Sequence, residues 1–251
     1  MTHGSLFSGI GGFDLAAEWA GWDNMFHCEW NEFGQRVLNY YWPKAISYGD
    51  ITKTDFSLWR GKIDILTGGF PCQDASNAKQ HGGGQRGLSG ARTGLFWEMV
   101  RAVDEIRPNW IVAENVSNIL KTNNGRDFRT TLYELGRMGY NAEWRVIRAS
   151  ELGACHHRAR LYLVAYSNCI RIPKGEYVLS NVDKEASQVR RRINGTSISV
   201  RVSWGVEPGV CRLDDGLPQK LYYESIKAYG NAIVPQVAYQ IFKAINQFEL
   251  K

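Results

Sequence analysis

A single thiol follows a proline at the end of an apolar, strand-like segment. In the run TGGFPCQDAS, Cys72 comes directly after Pro71, whose ring restricts the backbone that leads to the thiol. A lone cysteine is most often a small buried hydrophobe. The segment 73–92 that follows is rich in glycine and contains three cations and one acid, which is typical of a lid that closes over a polyanion. This context favours Cys72 as a reactive residue.

Two other segments place charged side chains at the ends of predicted strands. NWIVAENV delivers Glu114 and Asn115, and CHHRARLYLVA carries Arg158 and Arg160 at the start of a strand. Residues two apart in an extended chain point the same way, which we expect of the two arginines. Functional groups collect beyond the carboxyl ends of strands in open α/β sheets. A helix N-cap is the alternative explanation for Glu114 and Asn115.

A metal site is the obvious alternative for Cys155, His156 and His157. Three adjacent residues cannot easily chelate one ion, and no CxxC or HxxxH pair supports them. We therefore predict no metal.

A glycine turn near the start of the chain indicates a ligand at a helix N-terminus. In LFSGIGGFDLAAEWAGW, a predicted strand ends at Phe7 and a turn through Gly9, Gly11 and Gly12 leads into a helix. Glu29 ends the next predicted strand, near the place where an acid binds ribose hydroxyls. The pattern indicates a nucleoside cofactor, but it lacks the third glycine of the dinucleotide fingerprint. A turn that serves only tight packing is the alternative.

The elements that must position these residues alternate along the chain. Seven apolar runs have strand character, and helical patterns lie between several of them: GSLF, NMFHCE, KAISY, DILTGG, NWIVAENV, NAEWRVI and RLYLVAY. This alternation predicts an α/β fold with a doubly wound, mostly parallel sheet. A hydrophobic fraction of 44% over 251 residues, with 22% charged residues, indicates a folded chain with a sizeable core.

The alternation stops after Tyr166 and returns near the end of the chain. Residues 168–225 are predicted to form a small basic inserted domain that contains the triplet Arg190, Arg191 and Arg192. A solvated face is the alternative explanation for that triplet. Residues 1–167 are predicted to form a catalytic and cofactor-binding domain, which residues 226–251 complete; the run AIVPQVAYQIFKAI, from Ala232, has a helical apolar stripe.

Charge and cysteine content indicate which partners and which cellular compartment suit the chain. A net charge of +5 permits a polyanionic partner. Five cysteines without a CxxC pair suit a reducing compartment. No signal-like N-terminus and no run of ~18 apolar residues is present. We predict a cytoplasmic protein without a membrane segment.

Five motifs, in order, carry a resemblance to a known family: LFSGIGGF, GGFPCQ, ENV, HHRAR and YGNAIVP. They resemble the successive motifs of the DNA (cytosine-5)-methyltransferases, most of all the compact bacterial and phage members. The match covers residues 5–166 and 226 to about 245, and only the basic insertion is unmatched. The resemblance implies a Rossmann-like fold that uses S-adenosylmethionine and methylates carbon 5 of cytosine in double-stranded DNA.

The resemblance also implies a role for each catalytic candidate. Cys72 matches the thiolate that adds to carbon 6 of the base, and Glu114 matches the group that stabilises charge at N3 as a general acid. Arg160 matches the arginine near the base O2, and Arg158 supports the site. A base inside a duplex is unreachable, so the target cytosine would be flipped out.

The resemblance implies many cofactor contacts, and the loop after Cys72 and the basic insertion supply candidate DNA contacts. The cofactor set is Phe7, Gly9, Ile10, Gly11, Gly12, Glu29, Trp30, Asp50, Ile51, Gly69, Pro71, Leu95, Asn231 and Ala232. The DNA set is Gln73, Ser76, Lys79, Arg86, Arg92, Arg190, Arg191 and Arg192. We expect a monomer.

One departure and three rival functions accompany the resemblance. His156 stands where many members have glutamine, although histidine can also donate a hydrogen bond. A relative that methylates transfer RNA would use the same chemistry. A DNA-binding protein on a methyltransferase scaffold would need none of Cys72, Glu114 and Arg160, and a nicotinamide dehydrogenase would need a hydride site that nothing here supplies.

Overall fold

One seven-stranded sheet organises the chain in the computed structural model, which describes residues 1–70, 94–182, 187 and 219–249. The strands are β1 (Thr2–Leu6), β2 (Asp23–Cys28), β3 (Ile46–Tyr48), β4 (Ile65–Gly68), β5 (Trp110–Val116), β6 (Tyr140–Arg148) and β7 (Ala159–Ser167). Their order in the sheet is β3-β2-β1-β4-β5-β7-β6. Six strands run in one direction, whereas β7, between β5 and β6, runs antiparallel to both neighbours. Each predicted strand run coincides with one of these strands.

Helices cover both faces of the sheet. They are α1 (Gly12–Trp19), α2 (Glu32–Tyr41), α3 (Gly94–Ile106), α4 (Arg126–Arg137), α5 (Gln219–Asn231) and α6 (Pro235–Glu249). One buried cluster joins the sheet to α3 and α4 through residues such as Met99 and Phe128. A second cluster joins the opposite face to α1 and α6 through residues such as Phe13 and Phe242. The predicted doubly wound, mostly parallel α/β fold is therefore confirmed.

The C-terminal helix completes the second of these clusters. In α6, the Phe242 ring stacks on Trp22 with centroids 4.5 Å apart, and Trp22 Nε1 donates to Asn246 Oδ1 at 2.7 Å. The helix begins at Pro235 rather than at Ala232, because proline suits the first helical position and disfavours helical backbone in the residue before it.

The first part of the predicted insertion packs onto the same core. Val178, Leu179 and Val182 are buried in the cluster of α1 and α6. The carboxylate of Glu143 on β6 accepts the N–H groups of Val178 and Leu179 at 2.8 and 3.1 Å. Most of 168–225 lies outside the described residues, so the division into two domains stays a prediction. In the part of the chain described, no helix is long and apolar enough to cross a membrane.

Candidate active site

A buried carboxyl and an arginine face each other across β5 and β7. Glu114 Oε1 lies 3.0 Å from Arg160 Nε, and the two side chains are only 12% and 24% exposed. The strand register brings them together, since Glu114 pairs with Tyr162 and Val116 with Arg160. Burial raises the pKa of Glu114 to about 7, and the nearby arginine charges partly oppose that rise. Glu114 is therefore poised to exchange a proton near neutral pH.

Apolar side chains cause much of this desolvation. A small cavity beside Glu114 is lined by Phe70, Ile119, Phe128 and Leu163, among others. Removing water from around a carboxylate disfavours its charged form. The carboxyl is thus kept partly protonated by its surroundings, although an arginine lies beside it.

Arg158 has different partners from Arg160. Its Nη1 donates to the carbonyl of Gly230 at 3.0 Å and its Nη2 to the carbonyl of Ala232 at 2.5 Å. The φ of Arg158 is 27°, which is not extended backbone, so simple strand alternation does not describe it. Arg160 thus contacts the Glu114 carboxyl on β5, whereas Arg158 contacts backbone carbonyls near the C-terminal end of the chain.

The backbone that leads to Cys72 is held by Asn115. Asn115 Nδ2 donates to the carbonyl of Phe70 at 3.1 Å, and its Oδ1 accepts the N–H of Val116 at 2.8 Å. A Cβ atom at Gly69 would lie 3.2 Å from Ile233 Cδ1 and 3.5 Å from Glu114 Oε2. The chain therefore leaves β4 beside Glu114. Cys72 comes two residues after Phe70 in the sequence.

Several predicted site residues lie outside the described residues. They are Pro71, Cys72, Gln73, Ser76, Lys79, Arg86, Arg92, Arg190, Arg191 and Arg192. The predicted roles of these residues stay predictions.

The glycine turn after β1 is fastened to the end of β2. The N–H of Gly9 donates to Glu29 Oε2 at 2.7 Å, and the N–H of Asn31 donates to Glu29 Oε1 at 2.8 Å. Gly9 has a φ of +58°, and a Cβ atom there would meet nothing within 4 Å. At Gly11, with a φ of +85°, a Cβ atom would overlap the ring of Trp42. The turn is thus closed on its protein side and open at Gly9, as a ligand cradle requires.

Buried polar side chains anchor the same turn from below. Ser5 Oγ donates to Asp14 Oδ1 at 2.8 Å and lies 2.7 Å from Ser8 Oγ. Ser8 Oγ accepts the N–H of Cys28 at 3.2 Å. Burial raises the pKa of Asp14 to about 7. This network ties the residue before Gly9 to both β2 and α1.

A short 3-10 helix, Ile51–Lys53, follows β3 at the same edge of the sheet. Asp50 caps it, because its Oδ1 accepts the N–H and the hydroxyl of Thr52 at 3.0 and 2.7 Å. The carbonyl of Ile51 accepts Arg101 Nη2 from α3 at 2.6 Å. The backbone here is fixed from two sides.

The remaining predicted cofactor residues surround this edge. Trp30 presents an indole that is 73% exposed, and Leu95 packs on the core at the start of α3. Phe7 adopts a φ of 52°, unusual for a side chain of its size. Ile10 lies in the glycine turn, and the segment with Asn231 and Ala232 approaches that turn, because a Cβ atom at Gly12 would lie 2.7 Å from the carbonyl oxygen of Ile233.

Together these groups suit a nucleoside cofactor. The open backbone at Gly9, the Glu29 carboxylate and the exposed Trp30 ring offer a cradle, a hydroxyl acceptor and a stacking surface. Within the described ranges no group of His, Cys, Asp or Glu is arranged to hold a metal ion.

Sequence reasoning did not identify three supporting residues: Asn115 as a backbone anchor, Arg101, and Gly34. A Cβ atom at Gly34 would lie 2.5 Å from the carbonyl oxygen of Gly9. The position of Asn115 beside Glu114 was the only signal available. Arg101 and Gly34 lie inside ordinary helical patterns that carry no such signal.

Comparison with known proteins places the chain in a family. The family model described as C-5 cytosine-specific DNA methylase matches residues 1–200. The Type II methyltransferase M.Sau3AI of Staphylococcus aureus is 31% identical over 189 residues, which are 67% of this chain and 44% of that protein. M.HhaI of Haemophilus parahaemolyticus is 30% identical over 68% of this chain and 51% of that protein. The chain thus spans about half the length of these curated relatives.

Solved structures are similar in fold. A protein described as a DNA modification methyltransferase encoded within an E. coli prophage superposes with a TM-score of 0.65 at 16% identity, over 100% of both chains. The Dnmt2 methyltransferase of S. pombe gives a TM-score of 0.59 at 20% identity, over 74% of this chain and 55% of that one. The fold is that of the Rossmann-like methyltransferases, and the match over residues 1–200 shows that this chain belongs to the C-5 cytosine-specific DNA methylase family.

Proposed function

We propose that the chain transfers a methyl group from S-adenosylmethionine to carbon 5 of a cytosine flipped out of double-stranded DNA. The observation that carries this proposal is the buried Glu114–Arg160 pair beside the backbone that leads to Cys72. A carboxyl with a pKa of about 7 can give a proton to a ring nitrogen at neutral pH. Such a group is what cytosine needs before carbon 5 can act as a nucleophile.

The proposed chemistry assigns one task to each residue. The Cys72 thiolate adds to carbon 6 of the base, which displaces an electron pair toward N3. The Glu114 carboxyl donates its proton to N3. Arg160 compensates negative charge at the base and holds the Glu114 carboxyl in place. After carbon 5 has gained the methyl group, loss of its proton and departure of the thiolate restore the aromatic ring.

The cofactor residues orient the second substrate. S-adenosylmethionine, when bound, supplies an electrophilic methyl group. Glu29 would accept its ribose hydroxyls, the backbone at Gly9 would leave room for it, and Trp30 would stack against it. Asp50 and Ile51 would meet the adenine edge. The hydrogen bonds that already fix Glu29 and Ile51 support these roles, because the groups are preorganised.

The DNA contacts of the proposal come from the two predicted basic segments. Lys79, Arg86 and Arg92, together with the arginine triplet 190–192, would neutralise phosphates, whereas Gln73 and Ser76 would approach the flipped base. A monomeric, cytoplasmic enzyme remains part of this proposal. The odd number of cysteines supports only the reducing compartment.

A methyl-transfer assay tests the proposal. The full chain is incubated with isotopically labelled S-adenosylmethionine and either a mixed-sequence DNA duplex or transfer RNA, and nucleosides are analysed by mass spectrometry. We expect label only in 5-methyldeoxycytidine, and none with Cys72→Ser. Label in RNA cytosine alone would replace DNA by RNA as the substrate, and cofactor binding without any transfer would indicate a non-enzymatic scaffold.

A further inference from the structure

Arg158 is committed to backbone rather than to the base-side carboxyl. Both of its terminal nitrogens donate to carbonyl oxygens near the end of the chain, at Gly230 and Ala232. Arg160, two residues later, contacts Glu114 instead. The side chain of Arg158 is half-buried, so these hydrogen bonds are partly protected from competition by water.

The two carbonyls lie where a helix ends and need a donor. Helix α5 ends at Asn231 and α6 begins at Pro235, so the carbonyls near residue 231 lack the partners that a continuing helix would give. A cation at a helix C-terminus is also favoured by the helix dipole. A guanidinium group carries several N–H donors in a fixed plane, so it can donate to two such carbonyls at once. A lysine ammonium can donate to the same carbonyls, but it holds them less rigidly.

The segment held in this way touches both halves of the site. The carbonyl of Ile233 would lie 2.7 Å from a Cβ atom at Gly12, and Ile233 Cδ1 would lie 3.2 Å from one at Gly69. Gly12 belongs to the glycine turn, and Gly69 lies beside Glu114. Residues 230–233 therefore form a wall between the cofactor cradle and the base-side carboxyl.

We propose that Arg158 is a positioning residue that holds the 230–233 wall of the cofactor pocket against the strand that carries Arg160. The proposal rests on the proposed function, because it assumes that S-adenosylmethionine occupies the cradle at Gly9 and Glu29. If the proposal is correct, Arg158 affects mainly the affinity for the cofactor, although it lies in the same motif as Arg160, the arginine on the base side. A residue that served only the base or the DNA would leave cofactor binding unchanged.

Titration calorimetry with S-adenosylmethionine, in the absence of DNA, tests the proposal on the full chain. We expect Arg158→Met to weaken binding by about 10-fold or more, because the wall loses two charge-assisted hydrogen bonds. Arg158→Lys keeps a cation and should recover part of that loss. Arg160→Met is the matched control, which should bind the cofactor within about twofold of wild type while methyl transfer is lost.

Hydrogen exchange of the free chain supplies a second measurement. Amides of residues 229–234 should exchange faster in Arg158→Met but not in Arg160→Met, at similar unfolding temperatures. If Arg158→Met does not fold, Arg158→Lys carries the test and should still show weaker binding and faster local exchange.

Three results would contradict the positioning role of Arg158 or the proposed function on which it rests. Wild-type affinity in the folded Arg158 variants would overturn the positioning role alone. Equal weakening by Arg160→Met would also overturn it, because the effect would then belong to the arginine pair. A wild-type chain that does not bind S-adenosylmethionine would remove the proposed function, and this inference with it.

Discussion

At the scale of the residue, the proposed methyl transfer depends on the protonation of Glu114. Burial in an apolar pocket raises its pKa to about 7, while Arg160 and Arg158 oppose that rise. Because the protonated form is the donor, its fraction falls as pH increases through 7. The rate of methyl transfer should therefore decline on the alkaline side of that value, once the Cys72 thiolate is accounted for.

Glu114→Gln tests this role, since it keeps the shape of the side chain but cannot titrate. We expect the rate of methyl transfer to fall by about 10²-fold or more, with cofactor affinity little changed and the alkaline decline due to Glu114 absent. The measurement is the single-turnover rate between about pH 5.5 and about pH 9, a range that spans this pKa on both sides. Full activity in this variant would remove Glu114 from the mechanism.

The sequence was sufficient to identify Glu114 and Arg160 as separate candidate site residues, because their motifs end or begin predicted strands and resemble those of a known family. Their pairing follows from the register of β5 and β7. It was not sufficient to give the partners of Arg158. Those partners lie more than 70 positions away, and the φ of 27° breaks the alternation from which its direction was inferred. Long-range contacts of this kind depend on how the chain end returns, which local patterns do not encode.

At the scale of the element, α3 supports the segment that follows β3. Arg101 donates to the carbonyls of Ile51 and Thr54 at 2.6 and 3.1 Å and pairs with Glu98 and Glu105. Glu105 also accepts the N–H of Phe56 at 2.8 Å. The helix that begins after the Cys72 segment therefore fixes the backbone proposed to meet adenine.

Arg101→Met should loosen that backbone. We expect several-fold weaker binding of S-adenosylmethionine and a stability loss of about 1–3 kcal/mol, because several hydrogen bonds to a charged group disappear. Arg137→Met on α4 is the matched control, since Arg137 makes a surface pair with Glu134 that is worth about 1 kcal/mol or less. Thermal unfolding and cofactor titration of both variants decide the matter, and identical behaviour of the two would contradict the role of Arg101.

Strand positions followed from apolar runs, but α5 did not follow from the sequence. Residues 219–231 were assigned mostly to the basic insertion, whereas the structure has a helix over Gln219–Asn231. Tyr223 and Tyr229 on this helix are 60% and 71% exposed. These two exposed tyrosines interrupt the pattern of apolar residues on which helix prediction depends.

At the scale of the whole molecule, the two ends of the chain share one core. Phe242 is fully buried and packs against Trp22 and Phe13 with centroids 4.5 and 6.1 Å apart. Only Val234 separates the proposed cofactor wall, residues 230–233, from this helix. Folding of the glycine turn and closure of the pocket should therefore depend on the C-terminal helix.

Phe242→Ala measures that dependence. We expect a loss of about 3–5 kcal/mol in the free energy of unfolding, because a large ring leaves a cavity in a closed core. Tyr133→Ala is the control, since that ring is 68% exposed and its loss should cost about 0.5 kcal/mol or less. Denaturant titration compares the two. A Phe242→Ala cost near that of the control would mean that α6 is not part of the core shared by the two chain ends.

The most direct test of the central claim is to trap the covalent intermediate at Cys72. The full chain is incubated with S-adenosylmethionine and a duplex that contains 5-fluorocytosine, in which fluorine cannot leave carbon 5 as a proton does, so the adduct should persist. Peptide mass spectrometry should find the nucleotide attached at Cys72, and neither Cys72→Ser nor a chain without cofactor should give a stable methylated adduct. No adduct with the native chain, under conditions where the cofactor binds, or an adduct at another residue, would contradict the account.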